Sequence, residues 1–490
     1  MNAIDYFFED YKNSEKAFLL NKNEQISYSE LFNKTISLSE FLKSEIGENN
    51  NIILFSTNSL FFIISYLAII KSGNICVPIN PVSKEQVINF VISETNPKLI
   101  FLQKRFIEKF NEFKIEIISD NDFELKTQNK NNKDQKENNI TVNFDKERLA
   151  EIIYTSGSTA FPKGVMLSHK NLIANTESII KYLKLTDKDT MLVVLPFYYC
   201  YGLSLLHTHL KVGGSIVLNN TFMLIGSVIN NLKDYKCTGF AGVPSHFQIL
   251  LRKSDSFKNT ELPDLKYVTQ AGGKLHTVFI SEFTDNFKNT KFYVMYGQTE
   301  ATARLSYLPY EDLNKKLGSI GKAIPNVKLQ IVDEYGNEVN NGQFGEIVAS
   351  GDNIMKGYYN DKELTNKTIQ NGKLFTGDLA KKDEDGYIYI VARKKEIIKV
   401  GGERISPKEI EEVIVSIPEV IDCTIEGVYD EILGEKIKAI IVVSDKNNND
   451  NFKNKILEHC KKNLSSIKIP QELVLEKNVN VNASGKKVKI

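Results

Sequence analysis

The sequence has no excess of charge of either sign. Its 62 lysines and arginines are balanced by 61 aspartates and glutamates, which leaves a net charge of +1. Proteins that bind nucleic acid through its phosphates, or that bind acidic membrane surfaces, need a surplus of basic residues. The composition therefore gives no support for a nucleic-acid or membrane-surface partner, and we expect a small-molecule substrate.

Paired cysteines and long hydrophobic runs are also missing. The five cysteines are far apart and form no Cys-x-x-Cys pair, a pattern typical of a reducing cytoplasm. The longest strongly apolar run, residues 60–70, is shorter than the roughly 20 residues that a helix needs to cross a bilayer. The first residues are acidic, whereas a signal peptide begins with basic ones. We therefore expect a cytoplasmic protein without an integral membrane segment.

The length of the chain predicts more than one domain, because 490 residues exceed what a single hydrophobic core supports. Between residues 28 and 101, and again between 191 and 295, short apolar strands alternate with helical patterns. This alternation is typical of an α/β fold and predicts two successive α/β layers. A polar tract at 126–139 interrupts the pattern and is interpreted as a surface insertion.

The second part of the chain has a different pattern. Alternating apolar residues near 327–332 and 346–350 predict antiparallel hairpins, and therefore a small β-rich subdomain at about 325–394. Residues 395–490 predict a compact, mobile α+β domain. The predicted architecture is a large N-terminal domain at 1–394 followed by a small C-terminal domain at 395–490.

A stretch rich in glycine and hydroxyl side chains follows the apolar strand that ends near Tyr154. Small residues let the backbone close around an anion, hydroxyl and N–H groups donate to phosphate oxygens, and Lys163 adds positive charge. The spacing is not that of a Walker loop, because Pro162 stands where the second glycine would be. An ordinary turn before a helix capped by Ser168 is the alternative. The candidate phosphate-binding residues are Thr155, Ser156, Gly157, Ser158, Thr159 and Lys163.

Four further motifs follow in order along the chain. Residues 296–300 read Tyr-Gly-Gln-Thr-Glu, and residues 376–378 read Thr-Gly-Asp. Residues 399–405 read Lys-Val-Gly-Gly-Glu-Arg-Ile, and residues 483–486 read Ala-Ser-Gly-Lys. Each could be an ordinary turn if it stood alone. Together with the phosphate loop they resemble the motifs of the adenylate-forming superfamily, which includes acyl-CoA synthetases, firefly luciferase and the adenylation domains of peptide synthetases.

The resemblance implies that the chain binds ATP and Mg²⁺. By this resemblance Tyr296 stacks on adenine, Thr299 hydrogen-bonds the α-phosphate, and Glu300 holds Mg²⁺, an ion that prefers oxygen ligands. Asp378 is expected to accept the ribose hydroxyls, and Arg393 to contact the sugar or the phosphates. The glycines expected to flank adenine are Gly272 and Gly273.

The same resemblance assigns roles to the C-terminal motifs. Lys486 matches the catalytic lysine, whose cation would stabilise the transition state between two repelling anions, the carboxylate and the α-phosphate. Lys395 stands at the hinge between the domains. Lys399, Gly401 and Gly402 belong to the loop for thioester formation, where glycines allow close approach of a pantetheine arm. The motifs depart from the family pattern at Ala160, Ala392 and Glu396.

The predicted acid pocket is formed by the segment 196–203 and by the strand that ends at Met295. Tyr199 stands where acyl-CoA and aryl-CoA ligases usually carry a histidine that gates the acid, and Tyr201 and Met295 are expected to line the same pocket. The segment lacks the aspartate that amino-acid-activating domains use for the substrate ammonium, so a fatty or aryl acid is favoured. His207 and His209 do not indicate a metal site, because residues two apart on a helix do not face each other.

The sequence thus predicts an AMP-forming acid–thiol ligase. ATP and a carboxylic acid would give acyl-AMP and pyrophosphate, and the acyl group would then pass to a thiol, with coenzyme A the favoured acceptor. One alternative is an adenylation enzyme that loads the phosphopantetheine of an acyl carrier protein. An alternative of another class is a nucleotide-binding regulatory protein that has kept the fold without turnover.

Overall fold

The structure of the chain is a computed structural model, which describes residues 1–123, 144–155, 161–431, 433–443 and 447–478. The polar tract expected at 126–139 lies outside the described residues.

Helices and strands alternate in the first part of the chain, as the sequence predicts. The helices are α1 (Ala3–Phe8), α2 (Tyr28–Ile46), α3 (Leu60–Lys71) and α4 (Glu85–Thr95). The strands are β1 (Ala17–Asn21), β2 (Glu24–Ser27), β3 (Asn51–Phe55), β4 (Ile75–Pro78), β5 (Leu99–Leu102), β6 (Glu116–Ser119), β7 (Leu149–Thr155) and β8 (Lys163–Ser168).

The alternation continues through the second part. The helices are α5 (His169–Leu183), α6 (Cys200–Val212), α7 (Ile225–Asp234), α8 (Pro244–Arg252), α9 (Asp255–Lys258) and α10 (Thr277–Asn286). The strands are β9 (Thr190–Val193), β10 (Ser215–Leu218), β11 (Gly239–Gly242), β12 (Tyr267–Gln270), β13 (Lys291–Tyr296) and β14 (Ser306–Leu308).

Strands dominate the remainder of the chain. The subdomain that follows contains β15 (Lys322–Ala323), β16 (Val327–Val332), β17 (Phe344–Gly351), β18 (Gly357–Tyr358), α11 (Lys362–Thr368), β19 (Ile369–Gln370), β20 (Lys373–Lys382) and β21 (Ile388–Arg393). The last part contains β22 (Ile398–Val400), β23 (Glu403–Ile405), α12 (Pro407–Val415), β24 (Val420–Asp430), β25 (Gly434–Val443), α13 (Asp450–Asn463) and β26 (Glu472–Glu476).

Two large sheets form the first body of the chain and confirm the two predicted α/β layers. The first sheet has the order β18-β8-β7-β4-β3-β5-β6, and the second has the order β15-β14-β13-β12-β11-β9-β10-β1-β2. Their central strands pair in parallel, whereas β2, β8, β14, β15 and β18 are antiparallel additions near the edges. Helix α3 is buried around almost its whole circumference because it is apolar on every face, and it packs against α2 and α1.

The phosphate loop connects two antiparallel strands, which corrects one expectation. The sequence suggested that the loop leads directly into a helix, but β8 intervenes and pairs with β7, so that Lys163 lies opposite Thr155. The helix start itself is confirmed, because Ser168 caps α5 by accepting the N–H of Asn171. The apolar residues Val165 and Leu167 are buried, which explains why this stretch pairs as a strand.

The two smaller sheets match the predicted β-rich subdomain and C-terminal α+β domain. The subdomain sheet has the order β16-β17-β20-β19, with β21 paired to β20, and its pairings are antiparallel. The last sheet has the order β23-β22-β25-β24, with β26 parallel to β25 and α12 packed on β24. The domain boundary at 394/395 falls between β21 and β22 and stays a prediction. Within the described residues, no helix is both long enough and apolar enough to cross a membrane.

Candidate active site

The nucleotide motif lies at the carboxyl end of β13, one of the parallel strands of the second sheet. Ligands bind at this edge in sheets of this kind. The motif continues into a 3-10 turn, Thr299–Ala301, after which the chain returns antiparallel as β14. A side chain at Gly297 would lie 2.0 Å from the carbonyl oxygen of Ala303, so glycine is needed for this return. The fold thus brings the residues before and after the turn close together.

The carboxylate of Asp378, next to the end of β13, contacts both Tyr296 and Arg393. The Tyr296 hydroxyl donates to Asp378 Oδ2 at 2.7 Å, and Arg393 Nε lies 3.1 Å from Oδ1. The pairing of β20 with β21 places Asp378 directly opposite Arg393. Burial raises the pKa of the Asp378 carboxyl, while the Arg393 charge and the Tyr296 hydrogen bond oppose that rise. Both oxygens therefore already accept donors, as they would from two sugar hydroxyls. The stacking role of Tyr296 stays a prediction.

Glu300 is held by Tyr358, whose hydroxyl donates to Glu300 Oε1 at 2.8 Å. Lys163 Nζ lies 5.6 Å from the centre of the Tyr358 ring, and β18 carries Tyr358 alongside β8. Strand pairing therefore unites the phosphate-loop lysine, a tyrosine and a carboxylate. This set fits Mg²⁺ bound to a triphosphate, because the phosphates supply many of the ligands. Among the described residues, no group of three or more His, Cys, Asp or Glu side chains could hold a metal ion.

Thr299 lies next to the start of α6. Its Oγ1 atom is 3.5 Å from Cys200 Sγ, so the segment predicted to line the acid pocket reaches the residue predicted to bind the α-phosphate. Tyr199 directly precedes α6 and its ring centre lies 4.9 Å from that of Tyr198. The proposed gating role of Tyr199 stays a prediction.

Tyr201 and Met295 are both buried behind this edge. The Tyr201 hydroxyl donates to the carbonyl oxygen of Thr269 at 2.9 Å, which ties α6 to β12. The Tyr182 hydroxyl donates to Met295 Sδ at 2.9 Å, which ties α5 to β13. Sequence reasoning missed Tyr182, because it lies in a helix distant in sequence from the site motifs.

Arg304 is a further residue that sequence reasoning missed. It is 3% exposed, and its guanidinium carbon lies 3.9 Å from the centre of the Tyr201 ring. The signal was present in the sequence, since a single arginine stands in the otherwise small and apolar stretch 301–305, shortly after Glu300. Tyr358 was also missed, because only the pairing of β18 with β8 brings it to Glu300.

The two histidines of α6 belong to the interior. His207 Nε2 lies 2.8 Å from the Tyr66 hydroxyl, which donates to Glu151 Oε2 at 2.8 Å. Burial lowers the pKa of His207 to about 3 and raises the pKa of Glu151 to about 7. The hydrogen bond from Tyr66 opposes the second shift. His209 Nδ1 lies 2.9 Å from the carbonyl oxygen of Leu205, one helical turn earlier. Both rings thus support packing between helices and sheet.

The remaining predicted residues occupy turns. Gly272 has φ 87°, and the carbonyl oxygen of Gly273 accepts from Gln270 Nε2 at 2.8 Å, next to β12. Gly401 and Gly402 have φ 56° and 88° and form the exposed turn between β22 and β23, a conformation that favours glycine. Lys399 and Lys395 are exposed near this turn. The roles proposed for these residues stay predictions.

Five of the predicted residues cannot be placed in the site. They lie outside the described residues and are Ser156, Gly157, Ser158, Thr159 and Lys486. The loop that contains the first four is bounded by Thr155, the last residue of β7.

Polar contacts join the last part of the chain to the large body. Glu412 of α12 accepts the N–H of Thr277 at 2.7 Å and lies 3.1 Å from His276 Nδ1 and 3.0 Å from Lys274 Nζ. Arg252 donates to the carbonyl oxygen of Pro418 at 2.6 Å. This contact region is therefore formed by charged and hydrogen-bonding groups, in contrast to the apolar interior of each sheet.

Comparison with known proteins identifies a family for most of the chain. The family model described as AMP-binding enzyme matches residues 8–359, and the model described as AMP-binding enzyme C-terminal domain matches residues 409–486. The chain is 34% identical over 347 residues to the putative acyl-CoA synthetase YngI of Bacillus subtilis (strain 168), a match that covers 70% of this chain and 62% of YngI. The chain therefore spans less than two thirds of that relative.

Two further similarities cover more of the chain. It is 29% identical to the oxalate–CoA ligase of Arabidopsis thaliana, over 88% of this chain and 85% of the ligase. Its fold is similar to that of the o-succinylbenzoate coenzyme A synthetase (MenE) from Bacillus subtilis in complex with ATP and magnesium ion. That comparison has a TM-score of 0.85 at 24% identity and covers 99% of this chain and 98% of the other.

Proposed function

Because this chain belongs to the AMP-binding enzyme family, we propose that it activates a carboxylic acid with ATP and transfers the acyl group to a thiol. The carboxylate would attack the α-phosphorus, forming acyl-AMP and releasing pyrophosphate. The thiol would then attack the acyl carbon, forming a thioester and releasing AMP. Dividing the reaction in this way activates a carboxylate that a thiol cannot attack directly.

The proposal depends chiefly on the meeting of Glu300, Tyr358 and Lys163 near Asp378. Glu300 is close enough to act on the pKa of Asp378 as a neighbouring negative charge. This arrangement supports a nucleotide with its ribose at Asp378 and its phosphates between Lys163 and Glu300. Thr299 would donate to the α-phosphate. When bound, Mg²⁺ would neutralise phosphate charge and share Glu300 as a ligand.

Lys486 is proposed to stabilise the first transition state. The acid carboxylate and the α-phosphate repel each other, and an ammonium group between them would offset that repulsion. The C-terminal domain would turn about Lys395 after this step, withdraw Lys486, and bring the Gly401–Gly402 turn to the acyl-AMP. Movement of one domain would then serve both half-reactions.

The proposed acceptor is coenzyme A. The names of YngI and of the Arabidopsis ligase both refer to coenzyme A, and the exposed glycine turn of β22 and β23 leaves room for a slender arm. A carrier-protein phosphopantetheine is the second candidate for the same chemistry. The acid body is proposed to be alkyl or aryl, because Tyr199, Tyr201 and Met295 offer aromatic and apolar contacts.

The test uses the exchange of radiolabelled pyrophosphate into ATP with a panel of carboxylic acids. Exchange should appear with at least one acid, and it should require Mg²⁺. Lys486→Ala should abolish acyl-AMP formation yet still convert supplied acyl-AMP and coenzyme A into the thioester, because the lysine acts only in the first half-reaction. The adjacent Lys487→Ala is the matched control and should retain both half-reactions.

Two results would count against this assignment. Loss of both half-reactions in Lys486→Ala would show that the lysine is not specific to adenylation. Absence of exchange with every acid would favour the silent regulatory protein, and thioester formation with a carrier protein but not with coenzyme A would identify the other acceptor.

A further inference from the structure

Arg304 carries a buried positive charge that has no carboxylate partner among the described residues. Its side chain is 3% exposed, its Nη1 donates to the carbonyl oxygen of Ala303 at 3.1 Å, and its Nε has no acceptor in the described part of the chain. An arginine keeps its proton in proteins, so this charge cannot be removed by deprotonation. Burying a charge without an opposite charge is strongly unfavourable. Such a group needs an explanation beyond packing.

The surroundings of Arg304 include Tyr201, one of the residues predicted to line the acid pocket. The guanidinium lies on the face of Tyr201, at 3.9 Å from the ring centre, and this cation–π contact partly compensates the charge. Burial raises the pKa of the Tyr182 phenol and the Arg304 charge opposes that rise, which places the guanidinium near Tyr182. The Tyr182 hydroxyl in turn contacts Met295. Residues from α5 and α6 therefore lie around the cation, and Met295 of β13 contacts one of them.

Arg304 is connected through its neighbours to the turn that carries Thr299. Tyr201 directly follows Cys200, whose sulfur is 3.5 Å from Thr299 Oγ1. On the other side, a Cβ added to Gly297 would be 2.8 Å from the Cα of Arg304. The backbone of Arg304 thus lies at the same edge of the sheet as the turn that carries Thr299.

The backbone that carries Arg304 is held in an unusual conformation. Thr302 has φ 64° and ψ −51°, and Ala303 donates its N–H to Ala301 at 2.7 Å, which is a γ-turn. Asn353 stabilises this turn by donating to the Arg304 carbonyl oxygen at 2.9 Å. A backbone conformation of this kind persists only where its surroundings fix it, and it is common at ligand sites. Arg304 is therefore fixed in position before any ligand binds.

A second buried donor without a partner among the described residues precedes the 3-10 turn Thr299–Ala301. Gln298, next to Gly297, has a buried Nε2 with no acceptor among the described residues. The Arg304 Nε, which has no acceptor among the described residues, calls for a ligand group that accepts hydrogen bonds. A carboxylate fits this requirement, because its two oxygens match the fork of a guanidinium.

The geometry points to a dicarboxylic acid as the substrate, with Arg304 binding the carboxylate that is not activated. The body between the two carboxylates would lie along Tyr201 and Met295 and is alkyl or aryl. This inference rests on the proposed function, since it names the class of acid that the same site activates. A simple fatty acid would place a methyl group against the guanidinium, leaving its charge and its Nε donor without an acceptor.

The experiment compares each diacid with its own half-amide in the pyrophosphate exchange assay. The probes are the straight-chain diacids from malonic to suberic acid and the three benzene dicarboxylic acids. The half-amide of each is the comparison compound, because it keeps the shape of the diacid and removes one charge. For the accepted chain length, we expect the wild-type kcat/KM for the diacid to exceed that for the half-amide by about 100-fold.

Variants of Arg304 test whether that preference originates at this residue. Arg304→Met should bring the diacid to half-amide ratio close to parity, and Arg304→Lys should retain part of it, because the charge remains without the fork. The matched control is Arg105→Met, because Arg105 is exposed and donates to Thr57 and Gln103 and not to a residue of the predicted pocket, and this variant should keep the wild-type ratio. If Arg304 only supported Tyr201, Arg304→Met would slow all acids equally, and an unchanged ratio would overturn the inference.

The inference can fail independently of the proposed function. Wild-type exchange with monocarboxylic acids or half-amides that equals or exceeds exchange with every diacid would overturn the inference and leave the proposed function intact. This comparison needs no variant, so it decides the matter even if Arg304→Met does not fold. Absence of exchange with every acid would overturn the proposed function and this inference with it.

Discussion

The nucleotide end and the acid end of the site differ in how their charges are compensated. At the nucleotide end, Asp378 is paired with Arg393 and Tyr296, and Glu300 accepts from Tyr358. At the acid end, Arg304 is buried against aromatic rings with no opposite charge among the described residues. Paired groups must exchange partners when a ligand arrives, whereas an unpaired group gains one. We therefore expect the nucleotide end to control rate and metal dependence, and the acid end to control selectivity.

Among the variants that test this comparison, the largest effect should come from removing the charge at Glu300. Glu300→Gln should lower pyrophosphate exchange by about 1,000-fold, because the carboxylate is the proposed metal ligand beside the reacting phosphates. The preference among acids should not change, since that property belongs to the other end. The exposed Glu311→Gln is the matched control. Near-normal exchange by Glu300→Gln at ordinary Mg²⁺ concentration would contradict the division between the two ends.

A buried carboxyl within β7 shows a third solution, in which the fold favours the uncharged form. Burial raises the pKa of Glu151 from 4.5 to about 7, so the fold favours its protonated form. The stabilisation is present below pH 4.5 and is lost as pH rises through about 7, which amounts to about 3 kcal/mol. Between about pH 4 and pH 9, the free energy of unfolding of the wild type should therefore fall by this amount relative to Glu151→Gln.

Urea unfolding of both proteins at several pH values measures this difference. The matched control is Glu147→Gln, because the lysine partners of Glu147 lower the pKa of its largely exposed carboxyl. Its pH dependence should be small and opposite in sign. Parallel stability curves for the wild type and Glu151→Gln would show that Glu151 stays ionised, and the third solution would be wrong.

The smallest effect should come from the hydroxyl that orients Glu300. Tyr358→Phe removes one hydrogen bond to a charged group and should lower exchange by about tenfold at limiting Mg²⁺. The loss should shrink as Mg²⁺ is raised, because the carboxylate itself remains. Tyr359→Phe is the matched control, since its hydroxyl contacts Asn51 instead. A loss that does not depend on Mg²⁺ would mean that Tyr358 acts through packing alone.

Local sequence patterns were sufficient to predict much of the fold. The alternation of strands and helices predicted over residues 28–101 and 191–295 is confirmed, because short apolar runs between turns, such as those of β4, β10 and β12, have few alternatives. The hairpin of β1 and β2 was missed, since β1 joins β10 across a large separation in sequence. Strand β8 was missed because its alternation was interpreted as part of the phosphate loop.

In the candidate site too, local motifs predicted some residues, whereas others could be found only from contacts between distant parts of the chain. Motifs led directly to Tyr296 and Asp378, and the structure joins the two by a hydrogen bond that neither motif predicts alone. Tyr358, Tyr182 and Arg304 gain their positions from strand pairing and helix packing. A motif names the residue types that a reaction needs, but the compensation of their charges depends on neighbours from other parts of the chain.

The short segment 355–359 has a mechanical consequence. Met355 donates its N–H to the carbonyl oxygen of Glu300 at 2.9 Å, Lys356 donates to Met166 at 2.9 Å, and Tyr359 donates to Gly164 at 2.7 Å. One ribbon of backbone is thus bonded both to the turn that carries Glu300 and to the strand that begins at Lys163. Any displacement of this segment would move the turn that carries Glu300 and strand β8 together. The distance between Glu300 and Lys163 should therefore change little when the segment moves.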